Sequence, residues 1–229
     1  MKTKMLMMGC LLLGAGMTHA QNVTLTPEVG MSAVQRYGAG EGWRPSVKVG
    51  FSADFQVKDF FSIESGLAYT FRGYTESNGV YSNDAAEWID HVSHTRHFLQ
   101  LPVLAKFKWS VGKDTKMFFG AGPYVGVSLK ERVKNTPDYI STNPEHFMEF
   151  VATYYCPVGT KNGQGYSNAF LYDKSRNFDW GAAANLGLEM KHWVVKLQYD
   201  LSLGKEASND VVGAQYHSLT FSLGYKFHL

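Results

Sequence analysis

Three histidines, His91, His94 and His97, follow Asp90 at intervals of three. Imidazoles beside a carboxylate suit a metal ion, but a spacing of three gathers ligands on one side only in a helix. Thr95-Arg96-His97 already leads into a strand-like run, so a solvated loop is expected here and no metal residue is assigned. His217-Ser218 places a base beside a hydroxyl. Neighbours on a strand point to opposite faces, so these two do not make a nucleophile–base pair by themselves. Cys156 sits among Tyr154, Tyr155 and Pro157 with no His–acid pair nearby, and reads as a spectator. No glycine-rich loop opens a helix to cradle a phosphate. No catalytic, cofactor-binding or metal residue is assigned, no cofactor is expected, and the chain is expected not to be an enzyme.

The elements around these residues say more. Lys2 and Lys4 precede an apolar run from Met5 to Met17, and Thr18-His19-Ala20 ends it on a small residue. This pattern predicts a cleaved signal peptide over residues 1–20, with Gln21 the first mature residue. The run is too short for a transmembrane helix. A lipoprotein reading on Met8-Gly9-Cys10 has too little apolar chain before the cysteine. Of 22 basic residues the leader takes two, leaving 20 against 20 acidic ones in the remaining 209. A net charge of zero argues against a nucleic-acid partner. After cleavage Cys156 is the one cysteine left, so no internal disulfide can hold the domain over residues 21–229.

Aromatics make up 14% of the chain and glycines number 23, while charged residues are only 18%. That balance favours strands. Eight segments alternate apolar and polar residues with period two: Thr24–Ala33, Val47–Val57, Phe61–Arg72, Leu99–Trp109, Phe119–Leu129, Asp179–Met190, Val195–Leu203 and Ser218–Leu229. Each is about 10 residues, the length that crosses a bilayer at a tilt. Connections after the second, fourth and sixth segments are a few residues long, whereas the others are long; the longest runs from about Glu131 to Asn177. Short turns on one side and long loops on the other predict an all-β, eight-stranded antiparallel up-and-down transmembrane barrel, with periplasmic turns and external loops. A soluble lipocalin-like barrel or a sandwich is the competing class.

The apolar rows then face lipid and the polar rows face inward. Six acids, Glu28, Asp54, Glu64, Asp179, Glu189 and Asp200, meet seven bases, Lys48, Arg72, Lys106, Lys108, Lys130, Lys196 and Lys226. Buried charges this close to balance are expected to pair. Eight strands enclose a space that side chains fill, so a structural network is expected rather than a solute channel.

Four segments carry a family resemblance. Ser62-Ile63-Glu64-Ser65-Gly66-Leu67-Ala68-Tyr69, His97-Phe98-Leu99-Gln100-Leu101-Pro102-Val103-Leu104-Ala105-Lys106-Phe107, Gly120-Ala121-Gly122-Pro123-Tyr124-Val125-Gly126 and Phe178-Asp179-Trp180-Gly181 resemble strand motifs of the PorT-like outer-membrane β-barrel domain family of Bacteroidota, itself similar in architecture to the OmpX and OmpA barrels. The resemblance implies an integral outer-membrane protein of a Gram-negative cell, porin-like in build. It implies contact with outer-membrane lipid and with the barrel assembly machinery. The motifs belong to strands and carry no catalytic residue.

In the third long loop, Thr142-Asn143-Pro144-Glu145 reads as a capping box opening a short helix with Phe147, Phe150, Val151 and Tyr154 near one face. Eight aromatics lie from Tyr139 to Tyr172. Such a loop can contact a protein or glycan, or fold back over the barrel mouth. The expected function is a non-enzymatic structural or surface-interaction role through the external loops. A subunit of a secretion or assembly machine comes second and a lipid-modifying enzyme third.

Overall fold

The computed structural model describes residues 22–37, 42–82, 86–143, 165–167, 178–204 and 215–228. The predicted signal peptide, Cys156 and most of the third loop lie outside them. The strands are β1 (Asn22–Tyr37), β2 (Arg44–Lys58), β3 (Phe61–Ser82), β4 (Ala86–Gly112), β5 (Thr115–Thr142), β6 (Gly165–Ser167), β7 (Phe178–Met190), β8 (Trp193–Ser202), β9 (Gln215–Tyr225) and β10 (Phe227–His228). Each long strand pairs antiparallel with the next along β1-β2-β3-β4-β5-β7-β8-β9. The last strand then returns to the first. β9 pairs Glu28–Tyr37 of β1, and β10 pairs Thr24 and Leu25. Eight long strands therefore close into a barrel, with β10 continuing β9 past Lys226 and β6 a short addition to β5.

Three hairpins close one end in two residues each: Asp59-Phe60, Lys113-Asp114 and Lys191-His192. Of these six residues only Lys191 adopts a left-handed conformation, with φ 49°, as primed two-residue turns do. All the long connections lie at the other end.

Alternation sorts the side chains as expected. Val29, Phe51, Trp109, Val125, Trp180, Leu197, Phe221 and Leu223 point outward and are exposed. Glu28, Asp54, Glu64, Lys106, Glu189 and Lys196 point inward and are buried. This inverts a soluble barrel, whose apolar row would fill the interior. Rings gather near the short-turn end of the outer surface, where Trp193 and Phe227 both pack on Tyr225. Amphipathic rings favour a membrane–water interface.

The two prolines of the central motifs interrupt hydrogen bonding without shifting register. Pro102 in β4 and Pro123 in β5 have no N–H to give. Ser65 Oγ donates to the Pro102 carbonyl at 3.0 Å, satisfying an oxygen that the lipid-exposed wall could not leave bare.

Three strands are more than twice the expected ten residues or so. β3 has 22 residues, β4 27 and β5 28. The ladder of β3 with β2 ends at Thr70, but its ladder with β4 runs on to Ser82–Glu87. Those 12 further residues, at about 3.3 Å each, add roughly 40 Å along the strand. β5 likewise passes its last rung with β7, at Val127, and continues to Thr142 opposite Ala86. A sheet of β3, β4 and β5 thus rises from the long-loop end, with β6 joined to β5 at Val133–Asn135. Outside a bilayer neither face of a strand needs an apolar row, so the alternation that marks a strand disappears there. This corrects the reading of His91, His94 and His97 as a loop: all three lie in β4. It also moves the start of the third loop from about Glu131 to beyond Thr142. The predicted helix after Thr142 begins past the end of β5 and lies otherwise outside the described residues.

Candidate functional site

The barrel interior holds two polar clusters. Near the short-turn end, Asp54 of β2 and Glu64 of β3 are direct cross-strand partners. Two carboxylates so placed repel each other unless a cation joins them. Lys106 of β4 does this: its Nζ lies 2.9 Å from Asp54 Oδ2, 2.9 Å from Glu64 Oε2 and 3.0 Å from Glu189 Oε1. Three carboxylates match the three N–H donors of an ammonium. Its neighbour on the same face, Lys108, reaches Asp54 at 2.8 Å. Lys196 joins Glu28 at 2.7 Å and Glu64 at 2.9 Å, and Lys226 joins Glu189 at 2.9 Å. Four lysines thus meet four carboxylates. Asn185 Nδ2 donates to Glu64 Oε1 at 3.2 Å, and the Phe118 ring lies 4.1 Å from the Lys106 ammonium. The remaining gap has room for about one water molecule.

Toward the long-loop end an arginine–aromatic plug fills the bore. Arg72 Nη1 donates to Asp179 Oδ2 at 2.6 Å. Tyr124 OH donates to the same oxygen at 3.0 Å, and Ser202 Oγ donates to Oδ1 at 2.6 Å. The Arg72 guanidinium lies 3.7 Å from the Phe98 ring centroid, a close cation–π contact. Phe98 and Tyr124 fit because the facing positions are Gly126 and Gly181. A Cβ there would come within 2.3 Å of the Phe98 ring and 2.6 Å of the Tyr124 ring. Asp200 accepts from Gln198 Nε2 at 2.6 Å and Ser218 Oγ at 3.2 Å.

Such an interior is a packed ionic core. Of the inward-facing charges read from the sequence, ten pair directly: Glu28, Asp54, Glu64, Asp179 and Glu189 with Arg72, Lys106, Lys108, Lys196 and Lys226. Asp200 is held by neutral donors. Lys48 is inward and buried, while the Lys130 side chain lies outside the description. Arg36 and Arg96 are also inward and buried. The sequence reading missed both, although Arg36 is in phase with Glu28 and Arg96 with Lys106.

His217 and Ser218 lie on opposite faces of β9. Ser218 turns inward to Asp200, whereas the His217 ring lies outside beside Tyr199 and Tyr37. The three β4 histidines do not share a face, since His94 alternates with His91 and His97 along the strand. Among the described residues no three His, Cys, Asp or Glu side chains converge on a metal position.

The sequence profile of a family described as an outer membrane protein beta-barrel domain matches residues 13–208. No curated protein matches the sequence. Solved structures similar to this chain include Ail of Yersinia pestis, crystallised with the heparin analogue sucrose octasulfate: identity is 12%, coverage 90% of this chain and 99% of that one, and the TM-score 0.42. OprG from Pseudomonas aeruginosa is 12% identical over 92% of this chain and 98% of that one, with a TM-score of 0.43. Neisserial surface protein A is 11% identical over 90% and 97%, with a TM-score of 0.38.

Proposed function

The chain belongs to the outer membrane protein beta-barrel domain family, and from that premise we propose that it is a non-enzymatic surface-interaction protein of the outer membrane. Its short turns face the periplasm and its raised sheet faces outward, the usual sense of such barrels. The observation that carries the reading is the sheet of β3, β4 and β5 beyond the barrel rungs. A plugged barrel can hold position in a membrane without this extension, so the extension has another use. An extended sheet presents a broad, rigid surface to a protein or glycan partner. The interior supports the non-enzymatic part. Its serines at 202 and 218 donate to carboxylates, and the one imidazole adjacent in sequence to either lies on the outer wall. The four strand motifs lie in β3, β4, β5 and β7, and support a PorT-like subgroup.

The test is photo-crosslinking in intact cells from single positions on the sheet, such as Thr95 and Lys134, with Lys113 in a short turn as the control. Discrete adducts with a surface protein or glycan from Thr95 or Lys134, absent from Lys113, are expected. Adducts from Lys113 alone, or none from the sheet, would overturn the proposal.

A further inference from the structure

The outer wall carries the same side-chain arrangement twice. Tyr69 of β3 is hydrogen-bonded through its hydroxyl to His97 Nδ1 of β4. Tyr199 of β8 is hydrogen-bonded in the same way to His217 Nδ1 of β9, at 2.5 Å. The register is identical. Tyr69 faces Leu99 and Tyr199 faces Leu219, so each histidine lies two residues past its tyrosine's partner, toward the long-loop end. A further ring flanks each imidazole, Phe71 at 5.0 Å from His97 and Tyr37 at 5.9 Å from His217. In the strand order, two strands separate the β3–β4 pair from the β8–β9 pair on either side. The two arrangements therefore stand on opposite sides of the barrel.

Both mark the upper edge of the apolar band. Along β10 and β9 the outward row runs Phe227, Tyr225, Leu223, Phe221, Leu219 and then turns polar at His217 and Gln215. Along β4 it runs Phe107, Ala105, Val103, Leu101, Leu99 and turns polar at His97, Thr95 and Ser93. An interfacial tyrosine alone would place its hydroxyl among headgroups. Here each hydroxyl is spent on an imidazole instead. A tyrosine hydroxyl donating to Nδ1 fixes the tautomer with the proton on Nε2. In that tautomer Nε2–H is the ring's donor, at the level where lipid headgroups begin, and a phosphate oxygen is an acceptor concentrated there.

We propose that the Tyr69–His97 and Tyr199–His217 pairs are two binding sites for the phosphate groups of outer-leaflet lipid, which fix the depth and tilt of the barrel. The inference rests on the outward orientation of the long-loop end. The register partners of the histidines, Lys130 for His97 and Gln35 for His217, lie at the same level.

The test uses the full mature barrel in dodecyl maltoside micelles, which carry no phosphate, with bisphosphorylated lipid A or its dephosphorylated form. Native mass spectrometry counts the lipid A molecules retained. The wild type should retain two of the phosphorylated form, His97→Phe or His217→Phe one, and the double variant none, with little retention of the dephosphorylated form. Equal retention of both forms, or undiminished retention by the double variant, would overturn the proposal. Imidazole nitrogen NMR of the wild type avoids dependence on variants that fail to fold. The phosphorylated form should shift Nε2 of both histidines, and an unchanged Nε2 would also overturn the proposal. Neither measurement depends on orientation in the cell, which impermeant labelling of intact cells decides separately.

Discussion

Glu64→Gln is the sharpest perturbation of the ionic core. The carboxylate is 3% exposed and accepts from Lys106 and Lys196, each at 2.9 Å, and from Asn185 at 3.2 Å. The amide has the same shape but no charge, and it turns one acceptor into a donor facing ammonium and amide groups. Four lysines then face three carboxylates. Breaking a buried ion pair from one side costs about 3–5 kcal/mol, because the stranded charge stays buried. A second substitution makes the argument exact about cause. In Glu64→Gln with Lys106→Met, Asp54 keeps Lys108, Glu189 keeps Lys226 and Glu28 keeps Lys196. Every remaining charge in the cluster is paired, so the double variant should be more stable than Glu64→Gln alone. The assay is reversible urea unfolding of the barrel in lipid vesicles, followed by the emission of the outward-facing Trp109, Trp180 and Trp193. A loss below about 1 kcal/mol for Glu64→Gln, the range of an exposed pair, would refute a buried network. So would a double variant costing the sum of the two single changes.

Leu223 points outward from β9, so Leu223→Arg near the midplane should cost about 2–4 kcal/mol in the same vesicle assay. Assembly as efficient as wild type would mean the facing is wrong. Deleting residues 225–229 removes the pairing of β10 with Thr24 and Leu25 and the Lys226–Glu189 pair. That is two of the twelve rungs of the closing seam, since β9 holds the other ten. Bare β1 groups in hydrocarbon are still expected to abolish membrane insertion, whereas trimming residues 146–162 should leave heat-modifiable barrel in membranes. The mature chain should begin at Gln21 and need detergent for extraction, checked by amino-terminal sequencing of the membrane fraction. Recovery of a soluble periplasmic form would contradict this.

Within the membrane-spanning belt the fold was legible because one physical contrast, lipid outside and packed polar groups inside, writes itself as a period of two. Six of the eight segments found by alternation lie within the observed long strands, Val195–Leu203 runs one residue past β8, and Ser218–Leu229 runs from β9 into β10 and one residue past the described ones. That three connections are short was legible from the chain length between runs, though not that each is two residues. Above Arg72 and Gly126 that contrast ends. Thr75, Ser93 and Lys134 lie beyond the barrel rungs, where neither face of the sheet needs an apolar row, so residues 73–82 and 131–142 read as loop. The pairing of Lys106 with three carboxylates was legible only as a charge balance. Which acid meets which base depends on register across non-adjacent strands, and Lys196–Glu64 joins β8 to β3 across the bore. The Tyr–His pairs were hidden for the same reason: Tyr69 and His97 are 28 residues apart, and Tyr199 and His217 are 18.

The most direct test of a plugged barrel with its long sheet outside the cell is impermeant maleimide labelling of intact cells, in a Cys156→Ser background. Single cysteines replace Thr95 or Lys134 on the raised sheet, Leu223 on the outer wall, and Lys113 in a short turn. The prediction is labelling at Thr95→Cys and Lys134→Cys in intact cells, labelling at Lys113→Cys only after the outer membrane is opened, and none at Leu223→Cys in either state. Labelling of Lys113→Cys in intact cells with protection of the sheet positions would contradict the orientation and the surface role built on it.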